Sequence, residues 1–234
     1  MQHPRCRTLA AAVVALALGA SAASAQDADR VVQDGGIFAD GWAGRIDARA
    51  AANGQSLEHA KLALDGDALH VITGPAVTYW NPANVASGDY TVSATFTEPA
   101  FMELNDHPHP YGIVIAGNKL GTDQQSYLYC AAHGAGGFIV RGFGPEPFQV
   151  NGRRAEMHDA VNKAAGKGEP VTQEIAVSVR GDKVECAING TVVGSYDKAA
   201  LVADGMLVST DGVYGIRFAH NTEGFVRNLT VTQH

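Results

Sequence analysis

The stretch VTQEIAVSVRGDKVECAINGTVVGSY, residues Val171–Tyr196, decides the fold of this chain. Apolar residues occupy every second position from Ile175 to Val179, and again from Val184 to Ile188 after a Gly181-Asp182 turn. This period of two is typical of strands with one apolar face. Asn189-Gly190 is a strong hairpin signal because both turn positions favour positive φ. The stretch predicts three consecutive antiparallel strands, whose apolar face needs a second layer to cover it.

Similar short alternations run through the rest of the chain, as in Asp89–Phe96. We count about twelve short strands, separated by turn signals about every 8–12 residues. Val77–Trp80 is one of them, and we expect Asn81-Pro82 to stop it. The one helical candidate is Ala155–Ala165. The pattern predicts an all-β sandwich or barrel.

Met1–Ala25 has the pattern of a signal peptide, with two arginines, an apolar run of about a dozen residues and a small-residue cleavage site. Its removal from the 234 residues leaves 209, for which we expect a single β-sandwich domain, residues 26–234. Two of the 17 basic residues leave with it and none of the 24 acidic ones, so the net charge falls to about −9. We therefore expect a periplasmic or secreted protein with no nucleic-acid partner and no membrane anchor.

Two cysteines, Cys130 and Cys186, remain after the signal peptide. An even pair in an exported protein is a disulfide candidate. Alternation places both side chains on apolar strand faces. Two separate buried thiols that pack as small apolar groups are the alternative.

Five runs carry a resemblance: YGIVIAGN, SYLYC, GFIVRGF, EIAVSVRGDKVECAINGTVVGSY and VYGIRFAHNTEGFVRNLTV. Their order over Val77–Val231 resembles the concanavalin A-like lectin/glucanase superfamily. Within it, the chain is most similar to exported bacterial jelly-roll domains of the 3-keto-disaccharide hydrolase-like, family 16 glycoside hydrolase-related type. The resemblance implies a two-sheet antiparallel jelly-roll sandwich with at most one short helix, and carbohydrate bound on its concave sheet.

The family 16 glucanases carry their catalytic carboxylates on one strand, in a Glu-x-Asp-x-Glu-like run, and this chain has no such run. Glu185 is followed two positions later by Ala187, and Glu174 by Ala176. We therefore expect a non-catalytic protein that binds carbohydrate or a cell-envelope glycan. Carboxylates or histidines gathered from several strands would instead make a glycoside hydrolase or related sugar-cleaving enzyme. An envelope protein-interaction module is the third hypothesis.

The candidate ligand-binding residues are mostly aromatic. Tyr127, Tyr129 and His133 share one parity of their strand, where tyrosine rings could stack on sugars. Arg141 on the next predicted strand could join them, and Trp80 could form a platform at a loop edge. The alternatives are packing beneath a loop such as Asn151–Gly168 for the tyrosine row, an ion-paired structural role for Arg141, and a core cap for Trp80.

Metal binding has a weaker basis in the sequence. His107-Pro108-His109-Pro110 places two imidazoles two residues apart, which could begin a metal site. A third ligand at a recognised spacing is missing, and His133, His158 and His220 are candidates by residue type alone. We therefore expect no cofactor. Structural calcium is the other metal left open, although no acidic loop marks a site for it.

Overall fold

A computed structural model of the protein describes residues 28–234, so the predicted signal peptide lies outside the described residues. Two short helices, α1 (Ala48–Ala52) and α2 (Lys198–Leu201), accompany sixteen strands in this range. No helix within it is long and apolar enough to cross a membrane. The strands are β1 (Gly36–Ile37), β2 (Ala43–Ile46), β3 (Ala60–Asp65), β4 (Ala68–Thr73), β5 (Val77–Ala86), β6 (Tyr90–Glu98), β7 (Tyr111–Asn118), β8 (Ser126–His133), β9 (Gly137–Phe143), β10 (Pro147–Gln149), β11 (Glu156–Met157), β12 (Val171–Arg180), β13 (Lys183–Ile188), β14 (Thr191–Asp197), β15 (Gly212–Phe218) and β16 (Glu223–Gln233).

The strands form two sheets of eight. The first sheet has the order β1-β3-β4-β16-β6-β12-β13-β14, and the second has the order β10-β9-β8-β7-β15-β5-β2 with β11 also paired to β9. All pairs are antiparallel except β1 with β3. The three strands predicted from Val171–Tyr196 are confirmed as β12, β13 and β14, and β12 alternates buried and less buried residues along its length. The all-β, two-sheet sandwich is thus confirmed.

The main core lies between the sheets, where alternate residues of both sheets pack together. Leu128, Cys130 and Ala132 of β8 point into this core. Cys130 forms a disulfide with Cys186 of β13, with 6.0 Å between their Cα atoms. The disulfide therefore links the second sheet to the first through the core.

Asn81-Pro82 does not end its strand, contrary to the sequence prediction. β5 continues to Ala86, and Pro82 lies in an irregular stretch of its pairing with β15. The register passes from Trp80 opposite Gly215 to Val85 opposite Val213, so no partner residue opposes Pro82 there. A proline is tolerated in a strand at such an irregularity because its missing N–H is not needed by the ladder.

The predicted helix at Ala155–Ala165 is also wrong. Glu156 and Met157 pair with β9, and the backbone of Asn162 exchanges hydrogen bonds with the side-chain amide of Gln173. Val161 is buried in the main core. Tertiary partners thus take the backbone hydrogen bonds that a helix would have made internally, and they override a modest helix propensity.

Candidate functional site: a cleft on the outer face of the second sheet

A cleft of about 380 Å³ opens on the outer face of the second sheet, the face that points away from the main core. Tyr129, Arg141 and Arg217 reach it from β8, β9 and β15, because their neighbours in sequence point inward. A second concavity of about 340 Å³ shares Asp47, Ala76 and His220 with it. The open surface therefore continues past one end of the cleft.

Arg217 is the buried cation of this cleft. Its guanidinium donates to the Asp47 carboxylate at 2.7 Å and to the Thr78 hydroxyl at 2.9 Å. It also lies over the rings of Tyr129 and Phe143, at 5.1 and 5.0 Å from the ring centroids, distances at which a cation is attracted by the ring quadrupole. Burial alone would lower the pKa of Arg217, but Asp47 and the neighbouring tyrosines hold that pKa well above its ordinary value.

The two predicted tyrosines have different positions. Tyr127 is 1% exposed, stacks on Phe143 and shares a 3.0 Å hydrogen bond with the Thr78 hydroxyl. Burial raises its pKa to about 12, so its hydroxyl stays protonated. Tyr129 is also largely buried, at 7% exposed, but lines the cleft. Stacking of Tyr127 on a sugar is therefore not available in this conformation, and Tyr127 instead helps to position Arg217.

A small apolar cluster on this outer face accounts for the burial of the tyrosine row. Tyr127 and Tyr129 pack there with Val114, Ala131 and Ile139, and Ala155 from the 151–168 connection packs against them. The alternative stated for the tyrosine row, packing beneath the 151–168 connection, thus accounts for part of its burial. Tyr129 is the member of the two that remains at the cleft.

One of the other candidates from the sequence lies outside the cleft. His133 lines the cleft, and burial lowers its pKa, which favours the neutral imidazole. Arg141 also lines it, and Nη2 donates to the Arg153 carbonyl at 2.9 Å. Trp80 is 6% exposed and lies next to Gly121, away from the cleft lining. We therefore keep Tyr129, His133 and Arg141 as candidate contacts and assign Trp80 to packing.

Three histidines, His107, His109 and His220, form a group at the end of the cleft that we call the histidine cluster. One ring nitrogen from each lies within 4.8 Å of those of the other two. This is the one group of three potential metal ligands found among residues 28–234. The sequence pointed to His107 and His109, and the structure adds His220 as the third member.

Asp47 is the only carboxylate among the described residues that line the cleft, and it is paired with Arg217. Cleavage of a glycosidic bond by the usual mechanism needs two carboxyl groups about 5–10 Å apart across the bond. The described cleft lining does not supply that pair.

Sequence reasoning missed Arg217 and Asp47, and it named His220 by residue type alone. Arg217 alternates with Ile216 and Phe218 in VYGIRFAH, which places it on the outer face, but an isolated strand arginine has no specific functional signal. Asp47 directly precedes α1, in a segment of the sequence without a sustained apolar period. Their convergence depends on strand pairing between distant segments.

No family model matches the chain, and no curated protein matches it in sequence. Solved structures are similar in fold. A galectin-like protein of unknown function from Bacillus subtilis has 12% identity and a TM-score of 0.55, covering 82% of this chain and 89% of that one. The endo-β-1,3-glucanase of Pyrococcus furiosus has 12% identity and a TM-score of 0.52, with coverage of 85% and 88%. The laminarinase catalytic domain of Thermotoga maritima has 11% identity and a TM-score of 0.50, with coverage of 88% and 97%. The chain therefore has the concanavalin A-like β-sandwich fold.

Proposed function

We propose that this protein binds carbohydrate in the cleft on the outer face of the second sheet, without covalent chemistry. The observation that carries the proposal is the composition of that cleft. It combines an arginine with donor capacity to spare and an aromatic side chain on the sheet with several imidazoles at the end of β8 and in the segments next to β7 and β15. Sugar hydroxyls both donate and accept hydrogen bonds, so they suit a surface with a few fixed polar groups beside apolar ones.

Arg141 is the residue best placed to contact a ligand. Its one hydrogen bond to another described residue runs from Nη2 to the Arg153 carbonyl. A guanidinium carries five N–H donors in a fixed arrangement. Nε of Arg141 is buried without a hydrogen-bond partner, so the N–H groups of its two Nη atoms are the ones available to ring hydroxyls or to the carboxylate of an acidic sugar.

Arg217 has a different role in this proposal. Its guanidinium is covered by two aromatic rings and neutralised by Asp47. It fixes the orientation of Tyr129, whose ring lines the cleft above it. Arg217 is thus a positioning residue rather than a ligand contact.

The described cleft lining favours binding over glycoside hydrolysis, because its one carboxylate, Asp47, already has a cationic partner. The similar fold of a laminarinase domain and an endo-β-1,3-glucanase suggests β-glucans as the first ligands to try. Export to the periplasm or the medium and an envelope glycan as the natural ligand belong to the same proposal. They rest on the Met1–Ala25 pattern.

The test is a screen of residues 26–234 against soluble neutral and acidic polysaccharides, read by thermal shift and by reducing-sugar release. The proposal predicts a rise in melting temperature without release, lost in Arg141→Ala and kept in Arg153→Ala, whose contact with Arg141 is through its backbone carbonyl. No shift with any polysaccharide would contradict the proposal and favour an envelope protein partner.

A sugar-cleaving enzyme is the second candidate. The histidine cluster lies in the same cleft, and imidazoles can act as general acids and bases. Release of reducing sugar by the wild type, lost in His109→Ala, would establish this candidate instead.

A further inference from the structure

The first two members of the histidine cluster are oriented by their local sequence. His107 and His109 each precede a proline, and a residue before proline is biased toward extended backbone. In an extended chain, side chains two positions apart point to the same side. The repeat His-Pro-His-Pro thus favours two imidazoles on one side of a stiff segment, and the Nε2 atoms of His107 and His109 are 2.9 Å apart.

Strand pairing supplies the third member. The backbone N–H of Ala219 donates to the Pro110 carbonyl at 2.9 Å, just beyond the paired ends of β15 and β7. This places His220 next to His109, with 4.2 Å between their ring centroids. The two segments are joined by a sheet that is fixed on both sides, so the cluster is held by the fold rather than by an exposed loop alone.

Each ring has its Nδ1 against an oxygen acceptor. Nδ1 of His107 is 2.5 Å from the Asp106 carboxylate, and Nδ1 of His220 is 3.0 Å from the Asp29 carboxylate. Nδ1 of His109 contacts the backbone carbonyl of His220. An Nδ1 that faces an oxygen acceptor carries the ring proton in the neutral imidazole, which leaves the lone pair on Nε2.

This arrangement is the one that metal-binding histidines adopt. Carboxylates or carbonyls hold Nδ1–H, fix the ring orientation and make Nε2 a better ligand. Two neutral rings with Nε2 lone pairs 2.9 Å apart would repel each other, and a cation between them removes that repulsion. Either a shared proton or a metal ion can be that cation.

We propose that His107, His109 and His220 bind one divalent zinc-class metal ion through their Nε2 atoms. Three imidazoles with one remaining position form a known zinc coordination, with Zn–N distances of about 2.0–2.1 Å. Such ligands lie roughly 3.3 Å apart around a tetrahedral ion. The Nε2 atoms of His107 and His109 are 2.9 Å apart, and one ring nitrogen of each of the three histidines lies within 4.8 Å of the others, so small ring movements suffice to close the site.

The fourth position of this ion would face the cleft, because all three histidines belong to its lining. Asp29 acts through His220 as a positioning residue, since its carboxylate contacts the ring nitrogen that does not bind the metal. Neutral nitrogen ligands favour a zinc-class ion over calcium, which prefers oxygen ligands.

The experiment uses residues 26–234 without an affinity tag, freed of metal by a chelator and then titrated with Zn²⁺ against a chromophoric competitor. We expect one Zn²⁺ per chain. We also expect at least about 100-fold weaker binding in His109→Ala, and about 10–100-fold weaker binding in Asp29→Asn. The control is His70→Gln, since His70 is a partly buried imidazole paired with Glu223 on the first sheet. Its affinity for Zn²⁺ should equal that of the wild type.

Cobalt substitution of the wild type keeps the test independent of variant folding. Co²⁺ bound at the cluster should give the intense visible absorption of a tetrahedral site, and Zn²⁺ should displace it. Zinc binding that is absent, or that is unchanged in a folded His109→Ala, would overturn the proposal and leave a shared proton as the cation. The titration contains no sugar, so its outcome is independent of carbohydrate binding.

Discussion

The guanidinium of Arg217 and the carboxylate of Asp47 lie 2.7 Å apart at the cleft, with the Arg217 side chain 9% exposed and that of Asp47 32% exposed. A cation this buried is tolerated only with a partner, because removing the partner leaves an uncompensated charge in a poorly solvated position. Loss of one partner should therefore destabilise the outer face and disturb the position of the aromatic rings on it.

Replacing Asp47 with alanine should destabilise the protein by about 3–5 kcal/mol, the usual cost of breaking a buried pair at one partner. Partial exposure of Asp47 favours the lower end of that range. Chemical unfolding in urea measures the change. The matched control is Asp123→Ala, which breaks the exposed Arg45–Asp123 pair and should leave stability nearly unchanged. Equal effects of the two substitutions would contradict this account of Arg217.

The disulfide between Cys130 and Cys186 closes a loop with a sequence separation of 56 and joins the two sheets. Chain-entropy arguments give a loop of this length a stabilisation of about 4 kcal/mol. The double variant Cys130→Ala, Cys186→Ala should therefore unfold at lower urea concentration by a corresponding amount. Adding reductant should lower the midpoint of the wild type and leave that of the variant unchanged. If reductant leaves the urea midpoint of the wild type unchanged, this result would argue against the disulfide.

Fold and site differ in how far they can be predicted from sequence. The strands of Val171–Tyr196 follow from local alternation and from the Asn189-Gly190 turn, where Asn189 adopts a positive φ of 49°. The His-Pro-His-Pro motif marks His107 and His109 locally, but their approach to His220 depends on the pairing of β7 with β15, so no local pattern marks the complete histidine cluster. The role of Arg217 cannot be predicted from local sequence for the same reason, since its partner Asp47 is 170 residues away.

Glu98, at the end of β6, gives a prediction about pH. Glu98 is 5% exposed, and burial raises the pKa of its carboxyl group from the ordinary 4.5 to about 7. Between these pH values the folded protein holds a proton that the unfolded chain has lost, so this group makes stability fall as pH rises from about 4.5 to 7. The charged groups Arg30, Glu103 and Glu223 line the same small cavity.

The variant Glu98→Gln removes this titration. Urea unfolding measures the free energy of unfolding of wild type and variant at each pH. Between low pH and about pH 8, the difference between the two free energies should shift by about 3 kcal/mol in favour of the variant. This magnitude follows from roughly 1.4 kcal/mol per pKa unit. Comparing the two proteins cancels the titrations that they share. A difference that is constant across this range would show that Glu98 ionises normally.

The central claim, carbohydrate binding in the cleft, is tested most directly by calorimetric titration of residues 26–234 with the polysaccharide that gives the largest thermal shift. The account predicts saturable binding to the wild type and an affinity at least about tenfold weaker in Arg141→Ala, which corresponds to the loss of a charge-assisted hydrogen bond. Trp80→Phe, which alters a packed ring outside the cleft lining, should bind as the wild type does. Binding that is unaffected by Arg141→Ala but abolished by Trp80→Phe would place the sugar elsewhere and contradict the account.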